Sequence, residues 1–166
     1  MDKIDNFKHQ SALREWIDIS KWKNPCFVTL TMKKGRTYYN SYGSTRKKIS
    51  KYEASSNFRH FLNILNKRIF GNAFTRYGKC MTVFAVLEGT KTKHLHYHAI
   101  IDVPLGKGIN NFEQMVRETW LSTEWGDKQI DVKFNANQGA VDYMTKTRDK
   151  YSVADSIDWS NVALGN

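Results

Sequence analysis

Two alternating apolar runs on either side of a glycine turn constrain this chain more than any other feature. Met81, Val83, Ala85 and Leu87 precede the turn, and Leu95, Tyr97, Ala99 and Ile101 follow it. A period of two with no charge on one face predicts two half-buried strands joined as an antiparallel hairpin. Gly89, Lys91, Thr92 and Lys93 make the turn. In that register Glu88 falls opposite His96 and Val86 opposite His98, so Glu88, His96 and His98 share the second face. Two imidazoles and a carboxylate converging there form a three-ligand divalent-metal site, with positions open to water and substrate oxygens. The set is compatible with Mn²⁺, Mg²⁺ or another divalent ion. A lone histidine on a strand of a basic protein is ordinarily a solvated residue; the carboxylate across the turn is what makes this set informative. His94 with His96 satisfies the same spacing. His96 and His98 are preferred, because Glu88 pairs best with His96 and His94 lies nearest the turn.

The rest of the chain supplies partners for this hairpin. Residues 1–24 are a mixed lead-in, with Trp16, Ile17, Ile19 and Trp22 as a short amphipathic piece. Cys26, Val28, Leu30 and Met32 alternate with Phe27, Thr29 and Thr31, which predicts a strand with hydroxyls on its polar face. Residues 57–70 carry Phe58, Phe61, Leu62, Leu65 and Ile69 at helical spacing, ended by Gly71. A second helix covers residues 111–123, capped by Asn110 or Asn111, with Phe112, Met115, Val116 and Trp120 inward. Ile130, Val132 and Phe134 mark a fourth strand, and residues 140–150 a last helix. The order strand, helix, strand, strand, helix, strand is the split βαβ arrangement of ferredoxin-like, RRM-like α+β folds. An antiparallel sheet of four to five strands then carries helices on one face and an extra C-terminal helix. The histidines lie on the other, open face.

With 166 residues, a single domain is expected. Lys and Arg number 26 against 16 Asp and Glu, a net charge of +10 that attracts polyanions, nucleic acid above all. The excess is densest over residues 33–51, read as a loop region. Lys33, Lys34, Arg36, Arg46, Lys47 and Lys48 are interleaved there with Tyr38 and Tyr39, and cations among tyrosines suit phosphates and stacked bases. Thr29 and Thr31 on the neighbouring strand join them as candidate DNA contacts. Cys26 and Cys80 read as small buried hydrophobes, without a disulfide framework, which suits a reducing cell interior. No run approaches the roughly 20 apolar residues of a membrane span.

On the last predicted helix Tyr143 and Lys146 stand three residues apart, on one side. A phenol with a pKa near 10 is a weak nucleophile; a nearby ammonium and a metal-bound phosphate both improve it. Tyr-x-x-Lys alone carries little weight. Its place, one helix and one strand after the histidines, gives it meaning.

At this point the chain resembles a known family. His96, Tyr97 and His98 are similar to the histidine–hydrophobic–histidine motif of the HUH endonucleases. Tyr143 and Lys146 resemble the motif of their single-tyrosine rolling-circle replication initiators, and residues 27–31 the first-strand motif. The resemblance covers residues 25–150, in order, and implies an endonuclease domain at 25–151, with 1–24 as lead-in and 152–166 as a polar tail. It implies Tyr143 as nucleophile, Lys146 as its assistant, Glu88, His96 and His98 as ligands to Mn²⁺ or Mg²⁺, and single-stranded DNA or an origin hairpin as substrate. A 5′-phosphotyrosine intermediate and a free 3′-hydroxyl would result, with rejoining as the reverse reaction. Host helicase and polymerase would be partners, inside a prokaryotic cytoplasm or, for a eukaryotic virus, a host nucleus.

Other readings stay open. A single-strand HUH transposase also has one late tyrosine, although its helix usually carries a glutamine where this chain has Lys146. A conjugative relaxase has its tyrosine near the N-terminus, and the first 24 residues hold none. A non-catalytic single-stranded DNA or RNA binder of the same topology would present stacking aromatics on its sheet, where this chain places imidazoles and a carboxylate. A structural zinc site would need a fourth ligand. No Gly-rich phosphate loop of the Walker type is present, which suggests a small stand-alone initiator or the nuclease domain of a longer protein. Tyr151, eight residues beyond Tyr143, is read as structural.

Overall fold

The computed structural model describes residues 3–89, 94–106, 111–146 and 152–164, with side chains from residue 7 onward. Its centre is a four-stranded sheet built from β1 (Pro25–Met32), β4 (Thr82–Glu88), β5 (His96–Asp102) and β6 (Gly126–Phe134), in the order β4-β5-β1-β6. Every pairing is antiparallel. With α2 (Lys51–Phe70) between β1 and β4, and α4 (Phe112–Ser122) between β5 and β6, this is the expected split βαβ topology.

The alternation in β1 decides which way the sheet faces. Cys26, Val28, Leu30 and Met32 are fully buried against α2 and α4, together with Tyr97, Ala99 and Ile101 of β5. Phe58, Phe61 and Leu65 of α2 and Phe112, Val116 and Trp120 of α4 fill the space above them. Each such side chain contributes about 1.5–3 kcal/mol by leaving water. Tyr97 stacks on Phe58 at 4.1 Å between centroids, and the Trp120 indole N–H donates to the Thr31 carbonyl at 2.9 Å. That bond satisfies a polar group that the core would otherwise strand.

The opposite face is not left open along its whole width. On the β4–β5 half, Phe84, Val86 and Ile100 lie beneath a second apolar cluster with Leu13, Ile17, Ile19, Val141, Met144, Val153 and Ile157. These come from α1 (Lys3–Trp16), the turn after it, α5 (Gln138–Met144) and the C-terminal segment. On the β6 side, Gln129, Asp131 and Lys133 remain exposed. Neither end of the chain carries enough apolar periodicity to announce this packing, because each contributes only a few buried residues amid polar ones.

Several expectations are corrected. Residues 33–51 are not a loop region: β2 (Gly35–Asn40) and β3 (Gly43–Lys48) pair as a separate two-stranded hairpin. It is exposed on both sides over most of its length, so no apolar alternation marks it. α2 starts at Lys51, six residues before the apolar stripe, because Ser50 and Glu53 form a reciprocal capping box. A short α3 (Asn72–Tyr77) follows Gly71. Cys80 is exposed rather than buried, while Cys26 is buried and its thiol is pushed up to about 12 by burial. The last helix ends at Met144; residues 147–151, including Tyr151, and the turn residues Lys91, Thr92 and Lys93 lie outside the described residues, as does Asn110. Asn111 occupies the cap position of α4 without a side-chain capping bond.

Residues 152–164 are polar in composition yet closely packed. Ala163 and Ile157 make antiparallel bridges to Val83 and Val86 at the outer edge of β4. The buried Asp158 carboxylate accepts from the Tyr97 hydroxyl at 2.7 Å, Ser55 at 2.9 Å and Asn161 at 2.6 Å, and its backbone N–H donates to Ala85 at 3.0 Å. The segment therefore covers an otherwise unpaired sheet edge.

Candidate active site

The hairpin register is the expected one: Glu88 pairs with His96 and Val86 with His98. Gly89 makes this register possible. Its φ is +121°, and a Cβ there would lie 2.5 Å from the His94 carbonyl oxygen and 2.9 Å from the Leu95 Cα. Only glycine combines that backbone angle with such close approach of the returning strand.

Because Glu88, His96 and His98 share a face, their donor atoms all lie within 4.8 Å of one another. The Glu88 Oε2 is 3.8 Å from each histidine Nε2. Ligands around an ion held at about 2.0–2.2 Å stand roughly 3–3.5 Å apart, so small side-chain shifts suffice and the group can bind a metal ion.

Second contacts orient both rings. His96 Nδ1 lies 3.0 Å from the His94 carbonyl oxygen, an acceptor only, so Nδ1 carries the proton and Nε2 presents its lone pair toward Glu88. His98 Nδ1 lies 3.1 Å from Thr29 Oγ1. Thr29 is opposite His98 across β1 and β5, and the hydroxyl accepts from Nδ1 when Nε2 faces the carboxylate. Phe27 stacks on the His98 ring, 5.5 Å between centroids and 12° between planes, and prevents it from turning. The Glu88 carboxylate raises His96 above the ordinary imidazole value, against the opposing effect of burial. His94 points elsewhere: its Nδ1 contacts the Met32 carbonyl at 3.2 Å, and it is not in the cluster.

α5 places Tyr143 against these rings. Its ring stands edge-on to His98, with centroids 5.1 Å apart, and edge-on to Phe27 at 6.1 Å. Tyr143 is 46% exposed, enough for its hydroxyl side to meet a ligand. Lys146 lies just past the helix end. Its ammonium is 3.9 Å from the centre of the Tyr143 ring and 3.7 Å from Glu88 Oε2, and so links phenol and carboxylate.

The candidate DNA contacts divide. Thr29 serves His98, and the Thr31 side chain is buried beside the site. The hairpin leaves the sheet at the end where Thr31 pairs with His96. Lys33 donates to the Glu124 carbonyl at 3.3 Å, Arg36 pairs with the Glu124 carboxylate at 2.9 Å, and the Tyr38 hydroxyl donates to it at 2.5 Å. Lys47 pairs with Glu53. Lys34, Tyr39, Arg46 and Lys48 are exposed. Sequence reasoning missed the positioning contacts of Thr29, Phe27 and the His94 carbonyl, since only the sheet register brings them beside the imidazoles.

Fold and site together define a class: an antiparallel α+β domain of the split βαβ kind, with a Glu–His–His group able to bind a metal ion and a tyrosine–lysine pair against it. The family model for the ORF2 type of replication-associated protein matches residues 25–150, and the chain belongs to that family. No curated protein and no solved structure gives a match. Among the described residues no helix is long and apolar enough to cross a membrane.

Proposed function

We propose that this chain is a replication initiator that nicks single-stranded DNA through Tyr143, in the manner of the HUH endonucleases. The observation that carries the reading is the convergence of Tyr143 and Lys146 on the Glu88–His96–His98 group, in a member of a replication-associated family.

Bound by Glu88, His96 and His98, a Mn²⁺ or Mg²⁺ ion would polarise the scissile phosphate. The chain's own residues do the rest. His98, clamped by Thr29 and Phe27, gives Tyr143 a rigid wall to rest its edge on, so the phenol oxygen is aimed before the substrate arrives. Lys146 lies beside both Tyr143 and Glu88, where its charge favours the phenolate over the phenol. In the reaction the phenol oxygen forms a bond to phosphorus as the bond from phosphorus to the 3′-oxygen breaks. The phenol proton is lost, and the departing 3′-oxygen gains one. The product is a 5′-phosphotyrosine with a free 3′-hydroxyl, and the reverse reaction reseals the strand. The exposed β6 side of the sheet face, with Gln129, Asp131 and Lys133, leaves room beside Tyr143 for the strand.

The test is incubation with a randomised single-stranded DNA pool and Mn²⁺, run on a denaturing gel beside Tyr143→Phe. The expected result is a heat-stable protein–DNA band lost in the variant and with chelator. Binding without an adduct under any divalent ion would overturn the nicking reading in favour of a non-catalytic binder.

A further inference from the structure

The β2–β3 hairpin has two faces of different character. In an antiparallel pair, directly opposed residues share a face. Arg36 opposite Lys47 and Tyr38 opposite Thr45 form one face; Thr37 opposite Arg46, Tyr39 opposite Ser44 and Gly35 opposite Lys48 form the other. The first face is tied down by carboxylates, with Arg36 and Tyr38 on Glu124 and Lys47 on Glu53. Its cations are already neutralised at close range. On the second face, Tyr39 is 83% exposed, Arg46 and Lys48 are exposed, and among the described residues no carboxylate pairs with either cation. An aromatic ring flanked by two uncompensated cations on a strand surface has the composition that stacks a base and holds the adjoining phosphates. The anchors fix this face relative to the sheet, at the end where β1 delivers Thr31 beside His96.

We propose that the outer face of the β2–β3 hairpin, made by Tyr39, Arg46 and Lys48, binds the single-stranded DNA that enters the site, with Tyr39 as the stacking platform. Arg36, Tyr38 and Lys47 act as the hinge pins of the hairpin and do not touch nucleic acid. This rests on the replication-initiator reading for the identity of the strand, while the binding itself is read independently of cleavage.

The experiment is fluorescence anisotropy with a labelled, roughly 20-nucleotide mixed-sequence single strand, in chelator and in the Tyr143→Phe background, where no adduct can form. Tyr39→Ala/Arg46→Ala/Lys48→Ala is compared with Arg76→Ala/Lys79→Ala, which removes the same charge at the far end of the sheet. Loss of one stacked base and two phosphate contacts predicts roughly 10- to 100-fold weaker binding, and a slope of log K against log salt reduced by about 1.4. Tyr39→Phe alone retains wild-type affinity, because the stacking ring survives. A triple variant no weaker than the charge control, or a parent chain that does not bind the probe, overturns the proposal. So does an equal loss on duplex probe, which would mean phosphate contact without stacking. A wild-type chain that forms the adduct while the triple variant binds normally would reject the hairpin and leave the nicking reading intact.

Discussion

Thr29→Val isolates the contact that orients His98. The substitution keeps the β-branched shape that suits the strand and removes only the hydroxyl 3.1 Å from His98 Nδ1. Two costs follow. The apo protein loses a half-buried neutral hydrogen bond, about 1 kcal/mol, and the buried imidazole nitrogen loses that partner at its Nδ1, so a destabilisation of about 1–2 kcal/mol is expected. Metal affinity suffers separately. With the hydroxyl gone, nothing at Nδ1 selects the tautomer that leaves Nε2 free to ligate beside Glu88. Outer-shell partners of ligating histidines are typically worth 10- to 100-fold in affinity, or about 1.4–2.7 kcal/mol. Phe27 still stacks on the ring, which places the expected loss near the lower end, about 10-fold. The assay is Mn²⁺ titration followed by electron spin resonance of the free ion, with thermal melts of each apo variant as the folding control. Thr29→Ser retains the hydroxyl and should return most of the affinity; His98→Ala marks the floor. Wild-type Mn²⁺ affinity in Thr29→Val, with His98→Ala impaired, would refute the reasoning.

Three further outcomes are expected. Because Glu88 raises the His96 imidazole, the protonated pair stabilises the metal-free protein fully below the unfolded value near 6.5, and that stability is lost as pH rises through the raised native value. Metal requires the neutral ring, so Mn²⁺ affinity should fall on acidification from a higher pH than an ordinary histidine would dictate; a pH series of titrations checks it, and Glu88→Gln should move the His96 titration, followed by NMR, downward. Glu53 is held at about 2, chiefly by Lys47 and then by Ser50; its contribution is present above the unfolded carboxylate value near 4.3 and lost as pH falls toward 2. With solvent screening around this surface pair it amounts to about 1 kcal/mol, and urea melts of Glu53→Gln at pH 7 and pH 2 should differ from wild type only at the higher pH. Gly89→Ala forces a Cβ against the His94 carbonyl at positive φ and should destabilise by more than about 1 kcal/mol while weakening Mn²⁺ binding through displaced Glu88; unchanged melting and affinity would show that the turn relaxes freely.

Much of the architecture was legible because period-two and helical stripes state their own burial. Cys26, Val28, Leu30 and Met32, and Met81, Val83, Ala85 and Leu87, alternate strictly, and α2 and α4 carry apolar faces that match them. From the turn at Gly89 the facing of Glu88 and His96 followed directly, since a period of two leaves one choice of face once the register is set. The pattern was silent where an element buries little or buries it irregularly. β2 and β3 are exposed on most positions, so charge hid a hairpin. The C-terminal segment is held mainly by polar contacts to Asp158, which composition reads as solubility.

The order of residues sets the local chemistry of this protein: a carboxylate and two imidazoles forced onto one face of a hairpin, and a tyrosine three residues before a lysine. Which of these groups meet, and what restrains them, depends on how the elements pack. Thr29 reaches His98 from 69 residues away, Lys146 reaches Glu88 across the packing of α5 on β5, and Glu124 separates the tethered face of the hairpin from the free one. Such contacts join residues remote in the chain, and neither spacing nor periodicity encodes a distance between elements until their apolar faces have packed.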